Sequence, residues 1–329
     1  MADADWLPQF YHTLDDWNKR FIITSPDVDG LLSAALMVHN YNARLIGVYT
    51  TSHLILFDGF TSETAKEALW VDHDISYPGI RCMGQHLVRI QVEDKLPTRH
   101  NPNFNPNLIW PVAWENCFNG RQVNKVDKYP FATIHYLMKG LGIEDPPKYS
   151  KAYSLLAHAD GTWVTSYDYP YNCNQWREWM FDGWPGVIND LVDKTYADNK
   201  SLSVHLSILS DLLEAGISKG RSRKSVSQDI PSEWAKIEGH QGIPFSKRTK
   251  WEGWMSKFNK VWSYISNTMD WDVNTPEQIT KVIRGEAQPE YPDKILRKTT
   301  LDQWMEENGV FSHAITFRNT IRYTTNLEL

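Results

Sequence analysis

This chain of 329 residues has only three cysteines, no excess of positive charge and no long apolar run. Cys82, Cys117 and Cys173 show no paired spacing, which favours reduced thiols and a cytoplasmic location over a disulfide framework. The net charge of −6 argues against a surface coated with basic groups for duplex DNA. No apolar run approaches the roughly 20 residues of a membrane helix, and the acidic first six residues lack a signal-peptide core. We therefore expect a cytoplasmic protein with no membrane partner.

Strand-like and helix-like patterns alternate through the first half of the chain. Apolar runs typical of buried strands lie at 21–24, 44–49, 54–57, 68–71 and 87–92. Helical patterns lie at 31–39, 64–67, 129–141 and 149–159. Alternation of this kind predicts an α/β fold with a parallel sheet. We predict that this domain spans 1–163.

The second half has a different character. Residues 164–186 are rich in aromatic, Asn and Pro residues and predict an irregular loop. Helices are predicted at 187–196, 201–215, 232–239, 250–268, 275–284 and 299–308, and residues 311–327 alternate like a β-hairpin. Most of the 15 tryptophans are expected in cores or interfaces, because Trp buries a large area. We predict that 164–329 is a mostly helical, Trp-rich region that binds substrate or a partner.

Four short polar segments stand where apolar runs end. They are 25–30 (Ser-Pro-Asp-Val-Asp-Gly), 57–59 (Phe-Asp-Gly), 71–74 (Val-Asp-His-Asp) and 157–161 (Ala-His-Ala-Asp-Gly). Strand ends in an open α/β sheet meet along one edge, which would gather at least five carboxylates and an imidazole. Such a group is repulsive unless cations sit between the acids, and Mg²⁺ or Mn²⁺ prefers these ligands. The pattern predicts a metal-dependent enzyme that acts on phosphate esters.

Each segment has a plainer interpretation when it is taken alone. Residues 27–30 also fit a solvated turn or a calcium loop, and Asp58 before a glycine fits an ordinary turn. Asp160 fits a helix-terminal residue. The segment 72–74 is the most informative, because three ionisable residues directly after a buried strand are costly unless they are paired or bind metal. His73 is a candidate ligand whose second nitrogen an acid would orient.

The four segments in this order resemble the DHH phosphoesterase superfamily, and the RecJ-like single-strand exonuclease branch most closely. The Asp-x-Asp-Gly motif after the first strand is matched by 27–30, and the following small-residue helix by 33–35. Asp58 matches the acid that closes a later strand, and 72–74 matches the Asp-His-His motif except at its third position. The Ala-Asp after a helix is matched by 159–160. The resemblance covers roughly residues 20–163.

This resemblance implies a two-ion centre that holds Mn²⁺ or Mg²⁺. Asp27 would hold one ion, Asp29, His73 and Asp160 the other, and Asp58 would bridge both. Two ions roughly 3.5–4 Å apart activate a water and neutralise the phosphate. The implied function is a phosphodiesterase or nuclease that hydrolyses single-stranded nucleic acid or small (oligo)nucleotides.

The chain also departs from the family pattern. Asp72 would orient His73, but Asp74 replaces the His that contacts or protonates the substrate, and His86 is a candidate to substitute for it in space. Ser25 stands where RecJ-like enzymes have a further Asp, and Ile23 where other branches have a His. The Gly-Gly-Gly-His motif of the companion C-terminal domain is absent. Residues 164–329 therefore inherit no role from the resemblance.

Basic residues near tryptophans in the second half are candidates for phosphate contacts. Arg221 and Arg223 lie in one basic stretch, and Lys247 and Arg248 precede a Trp-containing helix pattern. Basic and aromatic residues together are typical of a groove for single strands. A solvated loop or plain surface explains the same composition.

Two other function classes stay open at this point. One is a degenerate DHH module that binds nucleic acid or a protein partner without catalysis, which the residues at positions 25 and 74 favour. The other is a haloacid-dehalogenase-type phosphatase, in which Asp27 would be the nucleophile and Asp29 the acid–base group. That family needs a later Lys and a paired acidic motif, of which this sequence has no convincing version.

Overall fold

The computed structural model describes residues 6–88, 103–109, 128–219, 240–245, 251–291, 295, 299–317 and 320–329. The chain divides into two compact units, neither of which is continuous in sequence. The first unit comprises Met1–Ser25, Tyr41–Tyr129 and Pro276–Leu329, and the second comprises Pro26–Asn40 and Pro130–Thr275. This division does not follow the boundary predicted after Trp163.

A seven-stranded sheet forms the centre of the first unit. Its strands are β1 (Phe21–Thr24), β2 (Arg44–Tyr49), β3 (His53–Phe57), β4 (Leu69–Val71), β5 (Arg81–Met83), β6 (Asn103–Phe104) and β9 (Ile279–Arg284). They lie in the order β6-β5-β4-β1-β2-β3-β9. β1 pairs in parallel with β2 and β4, and the β4–β5 and β5–β6 pairs are also parallel. The predicted α/β class with a mostly parallel sheet is confirmed, but β3 and β9 are antiparallel to their neighbours.

Strands β1 to β4 form where short apolar runs are buried in the centre of the unit. Every residue of β4 is fully buried, and Trp70 on that strand lies in a cluster with Tyr49 and Phe311. The indole N–H of Trp70 donates to the carbonyl of Ala65 at 2.9 Å, so its single polar group is satisfied inside the core. This tryptophan has the core role that the composition predicts.

The end of the chain completes the first unit with a second, three-stranded sheet. It consists of β10 (Glu286–Glu290), β11 (Ser312–Phe317) and β12 (Thr320–Thr325), in the order β10-β12-β11. β11 and β12 pair antiparallel, which confirms the predicted hairpin. The first unit also carries α1 (Leu7–Leu14), α3 (Ser62–Lys66), α4 (Pro106–Ile109) and α12 (Leu301–Glu307). The isolated bridge between Ile75 and Ser312 joins the second sheet to the segment after β4.

The second unit is mostly helical. It carries α2 (Val28–Tyr41) up to its last residue, α5 (Thr133–Leu141), α6 (Lys151–His158), α7 (Thr162–Asp168), α8 (Pro170–Met180), α9 (Val187–Val192), α10 (Asn199–Ala215) and α11 (Trp251–Met269). The two short strands β7 (Ser218–Lys219) and β8 (His240–Gly242) pair antiparallel. None of the helices in the described ranges combines the length and the apolar character that a membrane crossing requires.

Two predicted elements are wrong. The irregular loop expected at 164–186 is largely helical, in α7 and α8, and Pro170 opens α8 at a position that needs no N–H partner. The helix expected at 275–284 is the strand β9, whose β-branched residues pair with β3. Of the strand expected at 87–92, the structure describes only Leu87 and Val88, which are buried without strand pairing, and 89–92 lie outside the described residues. The helix predicted at 232–239 lies outside the described residues.

Candidate functional site

The parallel strands of the first unit bring three segments to one edge of the sheet. Thr24, the last residue of β1, pairs with Val71 of β4, which in turn pairs with Met83 of β5. The chain leaves these strands at Ser25, at 72–74 and at 84–87. We call this group of residues the parallel edge, where open α/β sheets usually bind ligands.

Asp72 is the centre of the parallel edge. Its backbone adopts a left-handed conformation (φ 59°), which Asp tolerates better than most residues and which turns the chain sharply away from β4. The Ser25 hydroxyl donates to Oδ2 at 2.5 Å, and Nε2 of His86 lies 3.2 Å from Oδ1. The side chain of Asp72 is 1% exposed, whereas that of His86 is 34% exposed. A buried carboxylate therefore holds an imidazole that reaches the surface.

Electrostatics favour the ionised form of Asp72. Burial alone would raise its pKa, but the neighbouring His86, together with His73 and the Ser25 hydroxyl, holds the pKa of this carboxyl below its usual range. Asp72 is therefore a carboxylate at neutral pH. Ser25, which stands where the resembled family has an acid, acts here as a hydrogen-bond donor to that carboxylate.

Asp74 has surroundings unlike those of a substrate-facing group. Its Oδ2 accepts the backbone N–H groups of His86 (2.9 Å) and Leu87 (3.0 Å), and its Oδ1 accepts the Asn105 amide (2.8 Å). Burial raises the pKa of Asp74, while the Asn105 amide, His86 and the backbone donors oppose that rise. Asp74, which the resemblance places at the position of a substrate-contacting His, does not face a substrate here, because its oxygens are occupied by the 86–87 backbone and by Asn105.

Two asparagines extend the contacts of Asp74 to the whole 85–87 segment. Asn105 also donates to the carbonyl of Leu87 at 3.2 Å and accepts the Asn107 N–H at 2.8 Å. Asn107 donates to the carbonyl of Gln85 at 2.8 Å. In the sequence, nothing distinguishes either asparagine from its neighbours. The recurring Asn-Pro pattern around 101–107 was a signal of turns, but nothing in it indicated which backbone groups the amides would meet.

His73 is buried on the core side of the parallel edge. Its ring centroid lies 5.2 Å from that of Tyr49 and 6.1 Å from that of Trp70. Burial lowers the pKa of His73 to about 4 despite the opposing charge of Asp72, so the ring is neutral at pH 7. It makes a hydrogen bond with the backbone of Thr24, and its Nε2 has no hydrogen-bond partner among the described residues. This nitrogen has the chemistry of a metal ligand, but it lies in an aromatic surrounding.

Asp58 lies at the opposite edge of the sheet, so the prediction that it shares an edge with Asp72 is wrong. β3 runs antiparallel to β2, with Leu56 opposite Gly47, so its last residues return toward the start of β2. There the Asp58 carboxylate lies 3.8 Å from Arg44 and accepts the N–H groups of Glu277 and Gln278, both at 3.0 Å. Asp58 therefore fastens the chain before β9 to the end of β3, and it cannot bridge ions held at the parallel edge.

Asp27, Asp29 and Asp160 belong to the second unit. Asp27 accepts the Gly30 N–H at 2.9 Å at the start of α2. Asp29 is 3% exposed, and its carboxylate accepts the N–H groups of Thr133 (2.8 Å) and Ile134 (3.0 Å) at the start of α5. It therefore satisfies two helix-terminal N–H groups that would otherwise be buried without an acceptor.

The other predicted site residues give less information. Asp160 is exposed and left-handed (φ 48°) in a single 3₁₀ turn after α6. Arg221, Arg223, Lys247 and Arg248 lie outside the described residues. Among the residues that the structure does describe, no three His, Cys, Asp or Glu side chains form a group that could hold a metal ion.

Comparison with protein-family models, with curated proteins and with solved structures found no match for this chain.

Proposed function

We propose that this chain is a phosphoester hydrolase that cleaves single-stranded nucleic acid or small (oligo)nucleotides with His86 as its acid–base group. The observation that carries this proposal is the pairing of a partly exposed imidazole with the buried, ionised Asp72 at the carboxyl ends of parallel strands. The resemblance of the sequence motifs supplies the substrate class, and the geometry supports the assignment of the acid–base group.

The proposed chemistry uses one imidazole to move one proton. Because Nε2 of His86 faces a carboxylate oxygen, this nitrogen carries the proton of the neutral ring, and the lone pair lies on Nδ1. A water oxygen forms a bond to phosphorus as its proton passes to Nδ1. The bond from phosphorus to the leaving oxygen breaks, and that oxygen takes the proton from the imidazolium. Asp72 keeps the ring oriented and stabilises the transient positive charge.

The residues described above do not fit the two-ion centre that the resemblance implies. The acid expected to bridge the ions, Asp58, lies at the other edge of the sheet. The carboxylate of Asp29, which would hold the second ion, instead accepts N–H groups at the start of α5. The proposal therefore assigns no step to Mn²⁺ or Mg²⁺.

The second candidate is a degenerate DHH module that binds nucleic acid or a protein partner without turnover. One observation favours it: the carboxylates of Asp29, Asp58 and Asp74 all accept hydrogen bonds from backbone N–H groups. Carboxylates that accept N–H groups at helix starts and in loops stabilise the fold whether or not the protein is still a catalyst. The two candidates differ in turnover.

A substrate panel separates these candidates. Labelled single-stranded DNA, single-stranded RNA, a dinucleotide, a cyclic dinucleotide and pyrophosphate are incubated with the protein, once with Mn²⁺ and once with EDTA. Product release in EDTA from one class supports the proposal and names the substrate. Turnover that requires Mn²⁺ contradicts the metal-free mechanism and favours the two-ion model. Binding of a labelled strand without turnover in either condition supports the second candidate.

Asp58→Asn is expected to leave turnover unchanged. Asn keeps the oxygen that accepts the N–H groups of Glu277 and Gln278, and it tolerates the left-handed backbone (φ 47°) at this position. Only the ion pair with the half-exposed Arg44 is lost, so the free energy of unfolding should change by less than about 1 kcal/mol. The two-ion model predicts that turnover is abolished. A folded Asp58→Asn protein without turnover would contradict the placement of Asp58 outside the site.

A further inference from the structure

We propose that Asp74 is a positioning residue for His86, which it holds through the backbone of the 84–87 segment so that the imidazole meets Asp72. This inference rests on the proposed function, because it assigns a role to a residue that supports the acid–base group. It also changes the meaning of the third position of the Asp-His-Asp segment. Asp74 stabilises the loop conformation in which His86, from a later segment of the chain, contacts Asp72.

The first observation is the convergence of donors on Asp74. Two consecutive backbone N–H groups, of His86 and Leu87, point at the same carboxylate oxygen. Consecutive N–H groups can share one acceptor only when the backbone curls around it, so the carboxylate sets the path of the chain at His86. The imidazole of the same residue then lies 3.2 Å from Asp72. One short acidic segment therefore contacts both the backbone and the side chain of His86.

The second observation is that the carbonyl groups of the loop are also held. Asn107 donates to the Gln85 carbonyl and Asn105 to the Leu87 carbonyl. Asn105, Asn107 and Gln85 are each no more than 1% exposed. Buried amide networks in which every donor has an acceptor fix one geometry, because each alternative leaves a polar group unsatisfied. The residue after β5, Gly84, adds to this restriction, since a Cβ there would lie 2.7 Å from Oδ2 of Asp74.

The arrangement also removes an objection to an anionic substrate. A carboxylate that faces a phosphate repels it, which is the difficulty with an acid at a position where the resembled family has a histidine. Here three N–H donors surround the carboxylate of Asp74, which is 6% exposed. The group that reaches the surface is the imidazole of His86, which gains positive charge when it accepts a proton. The parallel edge is therefore compatible with a phosphate ester.

The test separates positioning of His86 from general support of the fold. Asp74→Asn keeps the shape but places a second NH₂ group against Asn105 or against the loop N–H groups. Rotation of the Asn105 amide does not relieve this conflict, because its oxygen accepts the Asn107 N–H. We expect kcat to fall by on the order of 10²-fold with little change in KM, since a small misplacement of a reacting group has that effect. Asp198→Asn is the matched control, because this acid also accepts a backbone N–H, that of Ser201, but in the second unit.

The same substitution is then made in a His86→Ala background whose turnover is rescued by added imidazole. If Asp74 only positions His86, Asp74→Asn changes the rescued rate by less than about twofold, because free imidazole is not held by the loop. An equal loss in both backgrounds would overturn the proposal. If Asp74→Asn does not fold, Asp74→Glu replaces it: this change keeps a carboxylate but moves it one methylene further from the backbone, so that it cannot accept the His86 and Leu87 N–H groups without moving the loop.

If the wild-type protein shows no turnover, the proposed function is refuted but the positioning of His86 by Asp74 is not. An NMR measurement then tests the positioning by itself. In ¹⁵N-labelled protein, the His86 ring N–H should give one slowly exchanging signal in the wild type and lose it in Asp74→Asn, while Asp198→Asn keeps it. An unchanged His86 signal in folded Asp74→Asn protein would show that Asp74 does not position the ring.

Discussion

Replacing His86 with Asn is expected to lower kcat by about 10²–10⁴-fold, the range that one general acid–base group contributes. Asn ends closer to the backbone than Nε2 of His does, and the buried carboxylate of Asp72 keeps the Ser25 hydroxyl as a hydrogen-bond donor. The backbone N–H of residue 86 is unaffected, and the contact with Asp74 is therefore retained. What is lost is the ability to take and return a proton at the parallel edge. Single-turnover kinetics on the substrate found in the panel measure this loss directly.

The control for this variant is His12→Asn. His12 lies on α1 in the same unit and is 67% exposed, so it shares the residue type without the buried partner. Its replacement should leave kcat within about twofold of the wild type, because surface substitutions away from special features have small effects. Full turnover in a folded His86→Asn protein would remove His86 from the mechanism. A rise in KM with no change in kcat would mean that His86 binds the substrate and does not move a proton.

Gly84→Ala is expected to cost about 1–3 kcal/mol or more of the free energy of unfolding, as overpacking of a buried site does. A Cβ at this position would lie 2.5 Å from the carbonyl oxygen of His73 and 2.7 Å from Oδ2 of Asp74. The first of these is a backbone atom at the turn after β4, so it cannot rotate away as a flexible side chain can. The 84–87 segment must shift instead, which weakens the contact between His86 and Asp72. Urea unfolding measures the stability, and turnover should fall in parallel.

Gly253→Ala serves as the opposite case. Gly253 lies in α11, and a Cβ there would meet no atom of the described residues within 4 Å outside its own helix backbone and its chain neighbours. Ala favours a helix over Gly by up to about 1 kcal/mol, so this variant should be more stable than the wild type. The two glycine substitutions therefore move the urea midpoint in opposite directions. A Gly84→Ala protein as stable as the wild type would mean that the parallel edge is looser than described.

Local pattern alone predicted much of the sheet. Strands β1 to β4 form at the predicted apolar runs, and the C-terminal hairpin forms where residues alternate. β9 was mistaken for a helix because its partner, β3, lies more than 200 residues away in the chain. Its β-branched residues, including Val282 and Ile283, suit a strand, but only pairing with β3 makes that conformation favourable. The helices at 162–180 were not predicted, because Pro and aromatic residues occur both in loops and in helices, and Pro is also common at the first position of a helix.

The direction of β3 could have been inferred from the sequence. The predicted strands 44–49 and 54–57 are separated by four residues, and a parallel crossover needs a dozen or more. A connection this short requires a hairpin, which the hydrogen bond from the Thr50 N–H to the His53 carbonyl now closes. The common edge assumed for Asp58 and Asp72 was therefore excluded by loop length. The order of motifs along the chain carries no information on strand direction, whereas the length of the connection does.

The sequence by itself determined the class of fold, the places of the first four strands and of the C-terminal hairpin, and the kind of residue at the strand ends, because these depend on neighbours within a few positions. Only the tertiary structure decided what those residues do. It brought His86 to Asp72, turned Asp74 toward the 86–87 backbone, and sent Asp58 to the other edge of the sheet. The physical reason is that a buried carboxylate takes the nearest donors that folding supplies. Those donors come from segments as distant as 31 residues for Asp74 and 220 for Asp58, where local pattern carries no information.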